Sequence, residues 1–423
     1  MRRTGRLRSA LGTMLLVGAV LSPAACARDD KPKVVRVLGT WTTEAEQQAF
    51  EHVVAPFERK SGIDVQFEGT RDISAVLAAR VDEGDPPELA IVSAPGDLLH
   101  YAKTNKLVPL DDIRPAYAPE WSKAGQVDGK QVAVVLKAAL KSTIWYNTAK
   151  LADAGLAVPT TWAQLLDATA TLRASKVTPW CLGLASSTTS GWAGTDWIED
   201  LVLARSEPGV YDAWSSGKLS WRAPQIRAAW QSWGEVVNAR DTVAGGTMTA
   251  LLTDHDKARQ VLDPRGGCVF DHQASFMAGS YAAASPAAAP GAKPGYGAMA
   301  FPGFGTPAPR EVAGDLAAMF HATPAAWELL KYLTSTEAQA TWVESGTSLS
   351  PDGQVSLSVY KDKVTERLGT DLAAAASVRF DGSDLMPPTM RDAFQRAVLA
   401  FVSAPGDLDR ILEDLDQVRV TAY

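Results

Sequence analysis

Apolar positions along the chain form short β-branched runs that alternate with segments of helical period. VVRVLG, closed by Gly39, is the pattern of a buried strand that opens into a loop. TTEAEQQAFEHVVAPFERKSG then carries Phe50, Val53, Val54 and Phe57 at helical spacing, with Thr and Glu at its start and Gly62 as its stop. IDVQFEGT predicts a second strand, DISAVLAARVDEG a second helix and ELAIVS a third strand. Such alternation predicts a mainly parallel sheet covered by helices on both faces. Ligands of such sheets sit beyond the carboxyl ends of the strands, which puts Thr40, Trp41, Arg71, Asp72 and the turn SAPGD at 93–97 on one rim.

The alternation resumes with KSTIWYN at 141–147 as a strand, TWAQLLDATATLRAS as a helix and TPWCLGLAS as a strand. SGWAGTDWIE at 190–199 follows, read as a glycine-loosened segment that enters a helix from about Asp196. Residues 278–310 are rich in Ala, Gly and Pro and predict loop around a short strand YGAMAF. PAAWELLKYLTSTEAQATWVES is helical, and RDAFQRAVLAFVS and LDRILEDLDQV predict two late amphipathic helices. Trp230, Trp233, Trp327 and Trp342 sit at helical spacing and are expected in the core.

At 423 residues the chain is long enough for two domains. Apolar residues make up 46% and charged residues 21%, which excludes general disorder. A net charge of -7, with no Lys/Arg run after the first eight residues, argues against a nucleic-acid partner. MRRTGRLR followed by the apolar LGTMLLVGAVLS has the layout of an export signal over 1–25. The apolar run, about 12 residues, is shorter than the ~20 of a spanning helix. Cys26 after Pro23-Ala24-Ala25 resembles a bacterial lipobox with Pro where Leu, Val or Ile is usual, so lipidation of Cys26 is expected, plain export being the alternative. Residues 26–33 then form a tether. Cys181 and Cys268 remain as an even pair in an exported chain and are expected to be bonded; two buried thiols are the alternative. Cys/His clusters at metal-ligand spacing are absent from the sequence, and neither metal nor cofactor is expected.

The ordered blocks GTWTTEAEQQAF, FERKSGIDVQFEGT, DPPELAIV, DGKQVAVVLKAALKSTIWYN, TWAQLL, GTDWIED, AGDLAAMF, LTSTEAQATWV and FDGSDLMP resemble the bacterial extracellular solute-binding proteins of carbohydrate ABC importers. The likeness spans nearly all of 34–415 and is nearest to the α-glucoside-type branch, with maltose-binding protein a more distant relative. It implies an α/β, two-lobed Venus-flytrap fold with mixed, mainly parallel sheets and a hinge of crossing segments. Lobe 1 would comprise 34–140 plus 298–345, and lobe 2 141–297 plus 346–423. The resemblance also implies a monomer anchored to the outer face of the cytoplasmic membrane through lipid. Its partners would be a carbohydrate ligand and permease transmembrane subunits with a cytoplasmic ATPase.

A sugar ring offers C–H faces to aromatic side chains and hydroxyl edges to carboxylates, amides and Arg. Trp41 and Glu44 after the first strand, and Arg71 and Asp72 after the second, are candidate contacts; Glu44 also suits a helix N-terminus, and Asp72 a cap. In SGWAGTDWIE, Trp192 is the candidate platform and Thr195 and Asp196 the hydroxyl partners, with Trp197 as core. By resemblance, His272 and Gln273 in DHQASF and Gly314-Asp315 in AGDLAAM line the cleft, the glycine allowing close approach. Arg379, Asp381 and Asp384 in RFDGSD either bind ligand or form an internal ion-paired loop. Lys137 and Lys141, flanking the crossing strand, are read as solvated.

A binding module without catalysis is therefore expected. An exported glycoside hydrolase would need two carboxylates set across a bond, a geometry that spacing does not establish, and neither G-x-S-x-G nor H-E-x-x-H is present. A binder of non-sugar solutes would replace aromatic platforms with charged pockets.

Overall fold

A computed structural model describes residues 33–257, 267–285, 295–305, 309–375 and 377–423. The export signal, Cys26 and all of the tether but Lys33 lie outside the described residues. The strands are β1 (Lys33–Gly39), β2 (Ile63–Gly69), β3 (Leu89–Val92), β4 (Gln126–Val127), β5 (Lys130–Gln131), β6 (Ala133–Leu140), β7 (Thr143–Asn147), β8 (Trp180–Cys181), β9 (Phe270–His272), β10 (Tyr296–Ala300), β11 (Arg310–Met319) and β12 (Val378–Phe380).

The larger sheet has six strands in the order β12-β11-β3-β1-β2, with β6 also on β11. Its β1, β2 and β3 are parallel and β11 runs against β3 and β6. Central β3 is buried along its whole length, whereas edge strand β2 alternates exposed positions with buried or half-buried ones. Period 2 sends Leu89 and Ile91 to one face, under the helix Glu44–Ser61, and Ala90 and Val92 to the other, under Ile73–Glu83. The first of these helices forms where expected. Thr43 and Glu46 make a reciprocal capping box, Gly62 ends the helix at φ 71°, and Phe50, Val53, Val54 and Phe57 are buried. Each such side chain contributes roughly 1.5–3 kcal/mol.

The smaller sheet runs β10-β7-β9-β8. Because β10 pairs with β7, residues 298–300 belong to this sheet. The larger sheet instead takes up the chain again at β11, and it also holds β12 from the late segment assigned to the second lobe. Cys181 and Cys268 are joined, their Cα atoms 5.3 Å apart, beside β8 and β9. Trp230, Trp233 and Trp342 are fully buried and Trp327 partly so.

SGWAGTDWIE departs from its predicted form. The helix begins at Trp192, four residues early, and runs to Arg205. Gly191 starts it at φ 107°, and a Cβ there would lie 2.4 Å from the Gln395 carbonyl oxygen. Gly194 would meet the Val398 side chain at the same 2.4 Å. The two glycines therefore seat this helix against Pro388–Ser403 rather than loosening a loop. No helix among the described residues is long and apolar enough to cross a membrane.

Candidate functional site

The carboxyl ends of β1, β2 and β3 bring Thr40–Thr43, Thr70–Asp72 and Ser93–Asp97 to one edge of the larger sheet. Asp315 lies in β11, where the pairing with β6 shifts register. It accepts 2.7 Å from Trp41 Nε1 and 2.6 Å from Ser93 Oγ. Gly314 beside it makes room for backbone, since a Cβ would sit 2.2 Å from the Lys137 carbonyl oxygen. Trp41 is 2% exposed and packs on Phe50, Phe67 and Trp342. Its faces are thus covered, and this candidate contact is a core residue.

Lys137 Nζ lies 5.0 Å from the Trp41 ring centroid and 3.9 Å from Asp315. Burial lowers its pKa and Asp315 opposes that. Arg71 is exposed and bonds Glu46 at 2.8 Å rather than Asp72. Burial of Glu46 would raise its pKa, but bonds from Thr43 and the charge of Arg71 hold it below the usual range. Glu44 is exposed and accepts from Gln48 at 2.9 Å; Asp72 is exposed and makes no capping bond from its side chain.

On the smaller sheet's side, Trp192 is half-buried, with the His255 ring edge-on at 4.9 Å and Phe276 at 6.0 Å. Phe276 is 41% exposed. Burial lowers the His255 pKa, Asp254 and Asp256 raise it, and the charges of Lys141 and Arg71 lower it again.

The polar candidates near Trp192 point inward. Thr195 is fully buried and donates to the Trp192 carbonyl at 2.8 Å. Both Asp196 oxygens accept from Lys141 Nζ, at 3.0 and 2.9 Å, and Asp381 accepts from it at 3.0 Å. Asp381 also takes Ser383 Oγ and the Asp384 backbone N–H. Desolvation would lower the Lys141 pKa, but these carboxylates hold it well above the ordinary value. Burial pushes Asp196 up to about 6 against the pull of Lys141. Asp384 is half-buried, and burial with the Asp381 charge raises its pKa. Arg379 on β12 pairs with Asp212 at 2.7 Å, so RFDGSD forms no ion-paired loop of its own.

His272 and Gln273 are 3% and 2% exposed. His272 Nε2 meets Asp200 at 2.8 Å and the Gln273 carbonyl accepts from Trp145 at 2.8 Å. In DHQASF it is Phe276 that reaches the surface. Asp196, Glu311 and Asp381 bring carboxylate oxygens within 4.8 Å of one another, and the positive charge beside them is the Lys141 ammonium. A separate cavity of about 350 Å³, lined by Asp112, Arg114, Lys331 and Thr336 among others, shares no residue with either edge.

Sequence reasoning missed His255, Phe276 and Glu311 and read the buried Lys141 as solvated. One signal was available for the charge cluster. Asp196, Glu199 and Asp200 share a helix face among Trp197, Ile198, Leu201 and Val202, and an acidic stripe on an otherwise apolar helix needs a buried cation or protons.

A two-sheet α/β chain with an aromatic group on one edge, charged groups on the other and crossing segments between the sheets has the form of a solute receptor. Residues 40–340 match the profile of the bacterial extracellular solute-binding proteins, and the chain belongs to that family. It is 32% identical over 372 residues to the osmoprotective compounds-binding protein GgtB of Synechocystis sp., covering 85% of this chain and 86% of that protein. The alpha-glucosides-binding periplasmic protein AglE of Rhizobium meliloti is 28% identical over 401 residues, 90% of this chain and 86% of that protein. Among solved structures, a chitin oligosaccharide binding protein matches with TM-score 0.77 at 18% identity, over 92% of this chain and 98% of that one. The sugar-binding protein MalE from Xanthomonas citri matches with TM-score 0.74 at 17% identity, over 92% and 98%. The fold is thus the two-lobed α/β fold of these binding proteins.

Proposed function

We propose that the chain captures a carbohydrate, an α-glucoside or a short oligosaccharide, between its lobes and delivers it to the permease of an ABC importer driven by a cytoplasmic ATPase. One lobe is built on the larger sheet, the other on the smaller sheet, and they meet at the crossings β6 to β7, β10 to β11 and β12 to the turn at Asp381. The observation that carries the reading is the half-open aromatic group Trp192, Phe276 and His255. A half-open aromatic face offers a stacking surface for the C–H face of a sugar ring. Arg71, Glu44 and Asp72 are the proposed polar contacts on the larger sheet's edge. Asp315, Thr195, Asp196, Asp381 and Asp384 act behind the surface, where they orient their neighbours, and Arg379, His272, Gln273 and Gly314 serve packing.

The protein works by binding without catalysis. This is supported by the spending of Asp196 and Asp381 on Lys141, which leaves neither as an open acid or nucleophile. Export through the signal at 1–25, lipidation of Cys26 and a monomeric state complete the proposal. The names of the two relatives, one for osmoprotective compounds and one for alpha-glucosides, define the ligand panel. A thermal-shift screen of trehalose, maltose, sucrose and maltotriose against glycine betaine, a polyamine and a peptide tests it, because a ligand of the native state raises the melting temperature. A shift with a sugar alone supports the reading, and a shift confined to betaine, amine or peptide rejects it.

A further inference from the structure

The Lys141 ammonium is held where three segments meet. Lys141 stands in the two-residue crossing between β6 of the larger sheet and β7 of the smaller. Asp381 directly follows β12, and its N–H bonds the Val312 carbonyl of β11 at 2.8 Å. Asp196 lies one helical turn after Trp192 on the same helix. Lys141 Nζ reaches both carboxylates within 3.0 Å and lies 4.7 Å from the centroid of the Trp192 ring. Its backbone N–H bonds the Glu311 carbonyl at 2.9 Å, which adds the start of β11 to the same junction. The side chain is 8% exposed, so these bonds are screened little by water or salt.

We infer that Lys141 is a positioning residue for ligand binding: its clasp by Asp196 and Asp381 fixes the Trp192 ring and ties that ring to the segment crossing between the lobes. The inference rests on the proposed role of Trp192 as a stacking face. A planar ring binds a sugar only in the orientation in which it is held, and His255 and Phe276 meet Trp192 at ring edges or tilted, at 4.9 and 6.0 Å. The cation–π contact with Lys141 is the one that joins the ring to the crossing. Ligand pressed on Trp192 therefore acts on the same ammonium that bonds both sheets' connections.

The test uses K141M, K141R and K141M/D196N, the last of which removes one buried charge of each sign and leaves the net charge of the cluster unchanged. Protein labelled with 5-fluorotryptophan gives a ¹⁹F resonance for Trp192, assigned by its loss in W192F, and reads the ring without any ligand. In K141M/D196N, folded by circular dichroism, that resonance shifts and broadens while those of the buried Trp230 and Trp233 stay in place. The dissociation constant for whichever of trehalose, maltose or sucrose binds the parent rises by about tenfold, and K141R recovers most of that loss. An unchanged Trp192 resonance in the folded double variant overturns the inference, as does an unchanged dissociation constant. If W192A itself leaves sugar affinity intact, the stacking role of Trp192 fails instead, and the ¹⁹F signal still decides whether Lys141 sets the ring.

Discussion

Replacement of Glu311 by Gln should stabilise the protein at neutral pH and leave it unaltered in acid. Glu311 is fully buried, and neither carboxylate oxygen has a hydrogen-bond partner among the described residues. Burial, then repulsion from Glu199, Asp200, Asp381 and Asp196, raises its pKa well above the ordinary 4.5. An ionised, unpartnered carboxylate in that position is far costlier than a protonated one, so the folded protein keeps the proton. Below about pH 4.5 the unfolded chain is protonated too, and the group does not affect stability. As pH rises further, the unfolded state releases the proton and the folded state does not, so stability falls by about 1.4 kcal/mol per pH unit until the folded group ionises. Gln has no proton to release, and its amide can donate toward the oxygens of Asp196 or Asp381. Urea melts of both proteins from pH 4.5 to 8.5 should show equal stability at the acid end and a growing advantage for E311Q above it. A constant difference across that range, or a variant less stable at pH 8, would refute the reasoning by showing that Glu311 is ionised and partnered.

Three further outcomes follow from the packing. W192A should raise the dissociation constant for sugar about tenfold or more with little change in melting temperature, because the ring is half-exposed; calorimetry and a thermal melt on one sample decide it. G191A should lower stability by about 1–3 kcal/mol, since φ is 107° and the new methyl meets the Gln395 carbonyl, and denaturant unfolding measures the loss. C181S/C268S should cost up to about 4–5 kcal/mol by opening a link across 87 residues, with a melt of the oxidised parent as reference.

The β1 to β3 half of the fold was legible because each element carried its own period and stop signal, as Gly62 and the Thr43–Glu46 pair illustrate. The edge of the larger sheet followed from topology alone, and Arg71 and Asp72 lie on it, exposed. What spacing could not convey was the direction of a side chain within a short element. In DHQASF, His272 at the end of β9 and Gln273 just after it are buried and Phe276 in the following turn is exposed, and the pairing that fixes β9 joins His272 to Ile144, more than a hundred residues away. Trp41 illustrates the same limit. An indole just past a strand can face solvent or core, and only the contacts with Phe67 and Trp342 decide it. The glycines of SGWAGTDWIE signalled special backbone, yet the cause was a partner helix near the far end of the chain. Lys141 looked solvated because the acids that bury it lie 55 and 240 residues away along the chain.

Calorimetric titration of the protein with trehalose, maltose, sucrose and maltotriose tests the central claim most directly. The account predicts a saturable one-site isotherm with at least one of these sugars, abolished or strongly weakened in W192A. Absence of heat across all four, with a saturable isotherm for glycine betaine, a polyamine or a peptide, would contradict it.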